Sequence, residues 1–102
     1  MILYNVTLLV EEEIKKDWLQ WMQEVHLPEV MATGKFTSYA LYKIQNHEPG
    51  DLSNNYSVQY HAESMKDYED YVNFYAPALK QKTMERYGDK IIAFRTVLDK
   101  IV

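Results

Sequence analysis

"KIIAFRTVLDKIV", Lys90 to Val102, is the stretch on which the fold turns. It is rich in β-branched and aromatic residues and reads as a strand. Successive side chains of a strand point to opposite faces. Ile91, Ala93 and Val97 fall on one face, and Ile92, Phe94 and Leu98 on the other. A sheet with one wet face alternates apolar with polar residues, whereas a strand apolar on both faces is covered on both. Arg95 stands mid-strand between Phe94 and Thr96. A guanidinium in such surroundings calls for an anionic partner. Glu24, Glu29, a carboxylate across a subunit interface or an anionic ligand could supply it.

The strands upstream repeat the pattern. "KFTSYALYKIQ", Lys35 to Gln45, reads as a long strand with Phe36, Ala40, Tyr42 and Ile44 opposed to Tyr39 and Leu41. "YSVQYHA" sets Tyr56, Val58, Tyr60 and Ala62 against Ser57, Gln59 and His61. "NHEPGDLSNN" between them is turn material, with His47 inside it, so the two strands read as a hairpin. Ile2 to Val10 is a further strand, with Tyr4, Val6, Leu8 and Val10 facing one way and Leu3, Asn5, Thr7 and Leu9 the other.

Two helical patterns separate the strands. "EEEIKKDW" opens the first with acids ahead of lysines, which suits the helix dipole. Ile14, Trp18, Trp21, Met22 and Val25 form its apolar face, and Gly34 is a suitable cap at its end. Ser64 is a good N-cap for the second, whose stripe is Met65, Tyr68, Val72, Tyr75, Ala76 and Leu79, and Gly88 ends it. The resulting order is strand, helix, strand, strand, helix, strand. This is the α+β, ferredoxin-like βαββαβ pattern: an antiparallel four-stranded sheet with both helices on one face. A length of 102 residues suits one domain spanning residues 1–102.

A faint repeat links the halves. "HLPEV", His26 to Val30, and "YAPAL", Tyr75 to Leu79, each place a proline in a helix two residues after a polar ring. A proline in a helix interior costs about 3 kcal/mol. Paired prolines therefore predict two kinked helices, with His26 and Tyr75 at equivalent places beside any cleft the kinks open.

One layer of helices covers one face of the sheet. The second apolar face predicts a second copy, packed sheet to sheet about a two-fold axis, so that the two sheets close into a barrel. The net charge of −4 argues against a nucleic-acid partner. Without cysteine there is neither a disulfide framework nor a thiolate nucleophile. The start, "MILYNVTLLV", has no basic region ahead of its apolar residues, and no apolar run reaches the roughly 20 residues of a membrane span. These features predict a cytoplasmic protein with no membrane partner. Three histidines on separate elements form no metal-ligand spacing, so neither a metal nor a cofactor is expected.

The βαββαβ order, "HLPEVMATGKF" and the two-faced sheet resemble the dimeric α+β barrel superfamily. More narrowly, "MILYNVT", "VHLPEVMATGKF", "YSVQY", "APAL" and "AFRTVL" are similar to a family of short bacterial proteins classed as a domain of unknown function. The superfamily includes cofactor-independent monooxygenases, haem-degrading enzymes, muconolactone isomerases and stress-responsive barrel proteins. The resemblance to its haem-degrading members implies an asparagine on the first strand, which Asn5 matches, together with a tryptophan and a histidine. Their histidine lies on the second helix, where this chain has Tyr75, and His26 lies on the first.

The residues thus nominate a pocket between sheet and helices. His26 is the candidate acid, base or ligand, because an imidazole titrates near neutral pH. Arg95 is the candidate partner for an anion or oxyanion, and Asn5, Trp18, Tyr60 and Tyr75 are candidate ligand contacts. Three functions are compatible. The first is a homodimer binding a small apolar or aromatic molecule. The second is a cofactor-independent monooxygenase or isomerase with His26 as base. The third is a structural association module whose pocket is filled by its own side chains.

Overall fold

The computed structural model describes residues 1–45 and 54–102. The expected turn from Asn46 to Ser53, with His47, lies outside the described residues. Four strands form one antiparallel sheet: β1 (Ile2–Val10), β2 (Ser38–Lys43), β3 (Asn55–Ala62) and β4 (Ile91–Asp99), in the order β2-β3-β1-β4. The register puts Tyr4 opposite Tyr60 on one side and Val97 on the other, and Val6 opposite Val58 and Arg95. Because the side-chain period is two, this pairing gathers Ile2, Tyr4, Leu8, Val10, Tyr56, Val58, Tyr60 and Ala62 on one buried face. Arg95 lies on that same face, next to Val6.

The second strand is shorter than its sequence pattern suggests. β2 begins only at Ser38, yet Phe36 is buried. Phe36 packs its ring 4.8 Å from Tyr71 and 5.1 Å from Tyr60, so its apolarity reflects a core position outside the ladder.

Each expected helix is an arm of two α-helices. The first arm is a 3-10 turn (Glu12–Ile14), α1 (Lys15–Trp21), a π-helical turn (Met22–His26) and α2 (Leu27–Ala32). The second is α3 (Met65–Phe74) and α4 (Ala76–Tyr87). Both prolines sit in the first turn of the segment that follows the break: Pro28 in α2 and Pro77 in α4. In α4, which starts after the break at Tyr75, the N–H that Pro77 lacks is among those a helix start leaves unpartnered; the first arm stays helical from α1 into α2, with the Leu27 N–H bonded to the Met22 carbonyl, so Pro28 sits just past a π turn that has already displaced the regular bonding. The interior-proline cost is therefore avoided at Pro77. The arm ends where glycine is needed, with Gly34 at φ 74° and Gly88 at φ 61°. Ser64 caps α3 by accepting a hydrogen bond from the Asp67 N–H at 3.2 Å.

The π turn also corrects the helix face. An extra residue in one turn shifts the phase of everything after it. Val25, which belongs to the apolar stripe at regular spacing, is exposed, and His26 turns inward. The second arm breaks at Tyr75 (φ −120°, ψ −40°). Tyr71 is buried, whereas Met65 and Tyr75 are exposed.

Trp18, Trp21, Met22, Leu27 and Val30 from the first arm, and Tyr71, Ala76 and Leu79 from the second, share one core with the buried sheet face. The opposite face carries no described helix. There Ile92 and Phe94 are 54% and 57% exposed, with Leu98 beside them on β4, and Tyr42 is exposed on the same face at the far edge, on β2.

Candidate functional site

A cavity of about 340 Å³ lies between the buried sheet face and the two arms. Its floor is Tyr4, Val6 and Leu8 of β1, Val58 and Tyr60 of β3, and Ile91, Ala93 and Arg95 of β4. Ala93 helps make the room, since it reaches only one carbon above the floor beside Leu8. The first arm contributes Trp18, Met22 and His26. The second contributes Tyr71, Leu79, Lys80, Thr83 and Met84. Among the described residues no aspartate or glutamate lines the cavity.

His26 ends the π turn, and its ring stacks on Trp21 with centroids 5.1 Å apart and planes 26° apart. It makes no hydrogen bond among the described residues. Burial holds its pKa below the ordinary imidazole value; Glu29 pulls the other way, and Lys82 reinforces the depression. Those two side chains are ion-paired to each other at 3.0 Å. The imidazole is therefore neutral near pH 7, with its nitrogens uncommitted to protein groups.

Arg95 has no ion pair among the described residues, which corrects the expectation of Glu24 or Glu29 as its partner within one chain. Its Nε donates a hydrogen bond to the Tyr4 hydroxyl at 3.1 Å. Burial raises the Tyr4 pKa despite the lowering effect of Arg95 beside it. Burial pushes the Tyr60 and Tyr71 phenols well above their usual range too. All three tyrosines are thus neutral phenols. Tyr60 and Tyr71 are 3% and 5% exposed, and their hydroxyls have no hydrogen bond among the described residues. Lys80, at the rim, has its pKa lowered by partial burial and by the charge of Arg95.

The structure brings His26, Trp18, Tyr60 and Arg95 to this cavity and leaves two nominated residues outside it. Asn5 lies on the other face of the sheet. Its Nδ2 donates to Thr7 Oγ1 at 3.1 Å, and its Oδ1 accepts from Ser57 Oγ at 2.6 Å. Tyr75 stands at the head of α4, 38% exposed, and is absent from the cavity wall. The repeat equates Tyr75 with His26 in backbone position but not in surroundings. His61, on the same face as Asn5, has its Nδ1 3.1 Å from Ser38 Oγ. Sequence reasoning passed over Tyr4, Tyr71, Lys80 and Thr83 as site residues. Tyr4 was legible, since it shares the face of Tyr60 by alternation. Tyr71 was legible too, at i+3 from Tyr68 on the same arm, whereas Lys80 and Thr83 lie beyond the break at Tyr75, which resets the helix phase.

Among the described residues no three His, Asp or Glu side chains converge as a metal site, and no helix is long and apolar enough to cross a membrane. Fold and cavity together define the class: an α+β chain of ferredoxin-like topology, of the kind found in dimeric α+β barrels. More particularly, the chain belongs to the family described as domain of unknown function DUF4286, whose model matches residues 1–101. No curated protein matches it. Solved structures do match. A candidate antibiotic biosynthesis monooxygenase from Bordetella bronchiseptica aligns with a TM-score of 0.73 at 16% identity, over 99% of this chain and 97% of that one. The haem-degrader MhuD from Mycobacterium tuberculosis, with two haems bound in its active site, aligns with a TM-score of 0.71 at 14% identity, over 100% and 97%. A dimeric ferredoxin-like protein from an uncultured marine organism aligns with a TM-score of 0.69 at 6% identity, over 95% and 91%. At these identities the likeness establishes the fold and nothing finer.

Proposed function

We propose that the chain, as one domain over residues 1–102, is a cytoplasmic homodimer that binds a small apolar or aromatic molecule in the cavity of each subunit. The observation that carries this reading is the cavity itself. At about 340 Å³ it falls within the size range of ligand sites, and it has the mostly apolar wall with few polar groups that such sites share. Space of this size, left unfilled by the side chains around it, speaks against a purely structural module. The dimer is supported by the exposed apolar side chains of β4 on the uncovered face of the sheet, Ile92, Phe94 and Leu98, and by the dimeric ferredoxin-like neighbour. A native mass spectrum of the protein purified without added ligand tests both parts. The expected result is a dimer that carries a retained small molecule or accepts one. A monomer at micromolar concentration would refute the assembly.

A second reading, a cofactor-independent enzyme, is favoured by one observation: His26 is neutral, free of protein hydrogen bonds and set on an apolar cavity wall with Arg95 across the same space. That arrangement suits a general base facing a group that stabilises a developing anion. Proton abstraction by His26 predicts a rate that rises with pH through the His26 pKa and is lost in His26→Gln with binding retained. Haem does not fit in the manner of the haem-degrading members. Asn5 faces away from the cavity, and Tyr75 stands at the protein surface where their histidine would lie.

A further inference from the structure

The cavity wall is unbalanced in charge. The chain has eleven lysines and arginines. Lys15, Lys35, Lys66, Lys82, Arg86 and Lys90 are ion-paired to carboxylates. Among the described residues, the two that line the cavity, Lys80 and Arg95, have no such partner, and no acidic residue shares the wall with them. Both keep contact with water at the mouth of the cavity, and two like charges on one wall repel each other, a cost that an anion bound between them would relieve. In the same space Tyr60 and Tyr71 present phenol hydroxyls that accept or donate no protein hydrogen bond among the described residues.

Resting on the reading of this space as a ligand site, we propose that its ligand is a carboxylic acid with an apolar or aromatic body, whose carboxylate is held by Arg95 and Lys80. The geometry of Arg95 narrows the choice. Its Nε is taken by the Tyr4 hydroxyl, which fixes the guanidinium plane and leaves the two terminal nitrogens as a parallel pair of donors. That pair matches the two oxygens of a carboxylate. Lys80 supplies a second, movable charge at the rim. Behind the head group, Trp18, Val58 and Leu79 offer an apolar bed for the body, with the Tyr60 and Tyr71 hydroxyls available to a ring substituent or oxo group. A phosphate ester fits less well. Phosphate sites draw on backbone N–H groups at a helix N-terminus or in a glycine-rich loop. This cavity meets α4 along its side, at Leu79, Lys80 and Thr83.

The test is a calorimetric comparison of phenylacetate, benzoate and hexanoate with their neutral amides, on the intact protein and on Arg95→Gln. The acids should bind at least about tenfold more tightly than their amides, since hydrogen bonds to a charged group are the stronger kind. Arg95→Gln should erase that preference while leaving the weak amide binding in place. Arg95 is an exposed residue on an edge strand, so the variant should fold, and an unchanged circular dichroism melt would establish that. Arg95→Lys should restore part of the preference, because it keeps the charge and loses the fork. Equal affinity for acids and amides would overturn the anion assignment and leave the ligand site standing. Failure of every acid and every amide to bind the folded dimer would overturn both. Tighter binding of phenyl phosphate than of any acid would overturn the carboxylate in favour of a phosphate head.

Discussion

Phe94 offers the sharpest test of how this chain assembles. It lies mid-strand on β4, facing away from the helices, and it is 57% exposed in the single subunit. An aromatic side chain presents roughly 200 Å² when fully open, so something like 100 Å² of apolar ring faces water here. At about 25 cal/mol per Å², covering that ring contributes about 2.5 kcal/mol. In the proposed dimer a two-fold axis would place the same ring in the interface twice, so the assembly would gain up to about 5 kcal/mol from the pair. One factor of ten in Kd corresponds to about 1.4 kcal/mol, so Phe94→Ala should weaken the dimer by as much as about three and a half orders of magnitude. Because Phe94 touches little of its own core, the variant's subunit should fold as before. Sedimentation equilibrium over a concentration series measures the Kd, and circular dichroism at high dilution checks the fold. A Kd that rises less than threefold, with the fold intact, would refute the assignment of this face as the interface. A subunit that unfolds outright would refute the premise that Phe94 is peripheral to the monomer's core.

Three further outcomes follow from the geometry. His26 has a folded pKa below its ordinary 6.5, so the unfolded chain takes up its proton first as pH falls. Its stabilising effect is complete above about pH 6.5 and declines toward the folded pKa, by at most about 1.4 kcal/mol per pH unit. Urea midpoints between pH 5 and 8 should show this slope in the native protein and a flatter one in His26→Gln; with Trp21, Glu29 and Lys82 unchanged around it, identical slopes would remove His26 as the cause. Pro77→Ala should destabilise by about 0.5 kcal/mol, because Pro77 sits in the first turn of α4 and restrains the unfolded chain. An interior proline would give the opposite sign, so stabilisation of a few kcal/mol would show that α3 and α4 run as one helix. Ser64→Ala should cost about 1 kcal/mol through the lost cap on the Asp67 N–H, read as a lower thermal midpoint, whereas Ser64→Gly should cost only a few tenths.

Much of this molecule is written in the periodicity of its chain. Alternation in Ile2–Val10 and in Tyr56–Ala62 is enough to name the buried face of the sheet, because a strand's side-chain period of two leaves no freedom once one face is apolar. Glycine at 34 and 88 and serine at 64 mark helix ends through local backbone chemistry that needs no distant partner. The doubled apolarity of β4 states that one chain leaves a face to be covered. The candidate site was legible only in part, and the reason is phase. Within a regular helix, position along the chain fixes direction, but a π turn at Met22–His26 and a break at Tyr75 each reset that relation. His26 and Tyr75 therefore share a motif and end in different places, one on a cavity wall and one at the surface. Asn5 looked like a site residue by type, yet alternation puts it on the face opposite Tyr4. Arg95 announced in the sequence that it needed a partner. Only the packed structure gave it a phenol at Nε and a lysine nearby instead of a carboxylate, because which side chains meet across β1, β4 and α4 is decided by tertiary register and not by any local pattern.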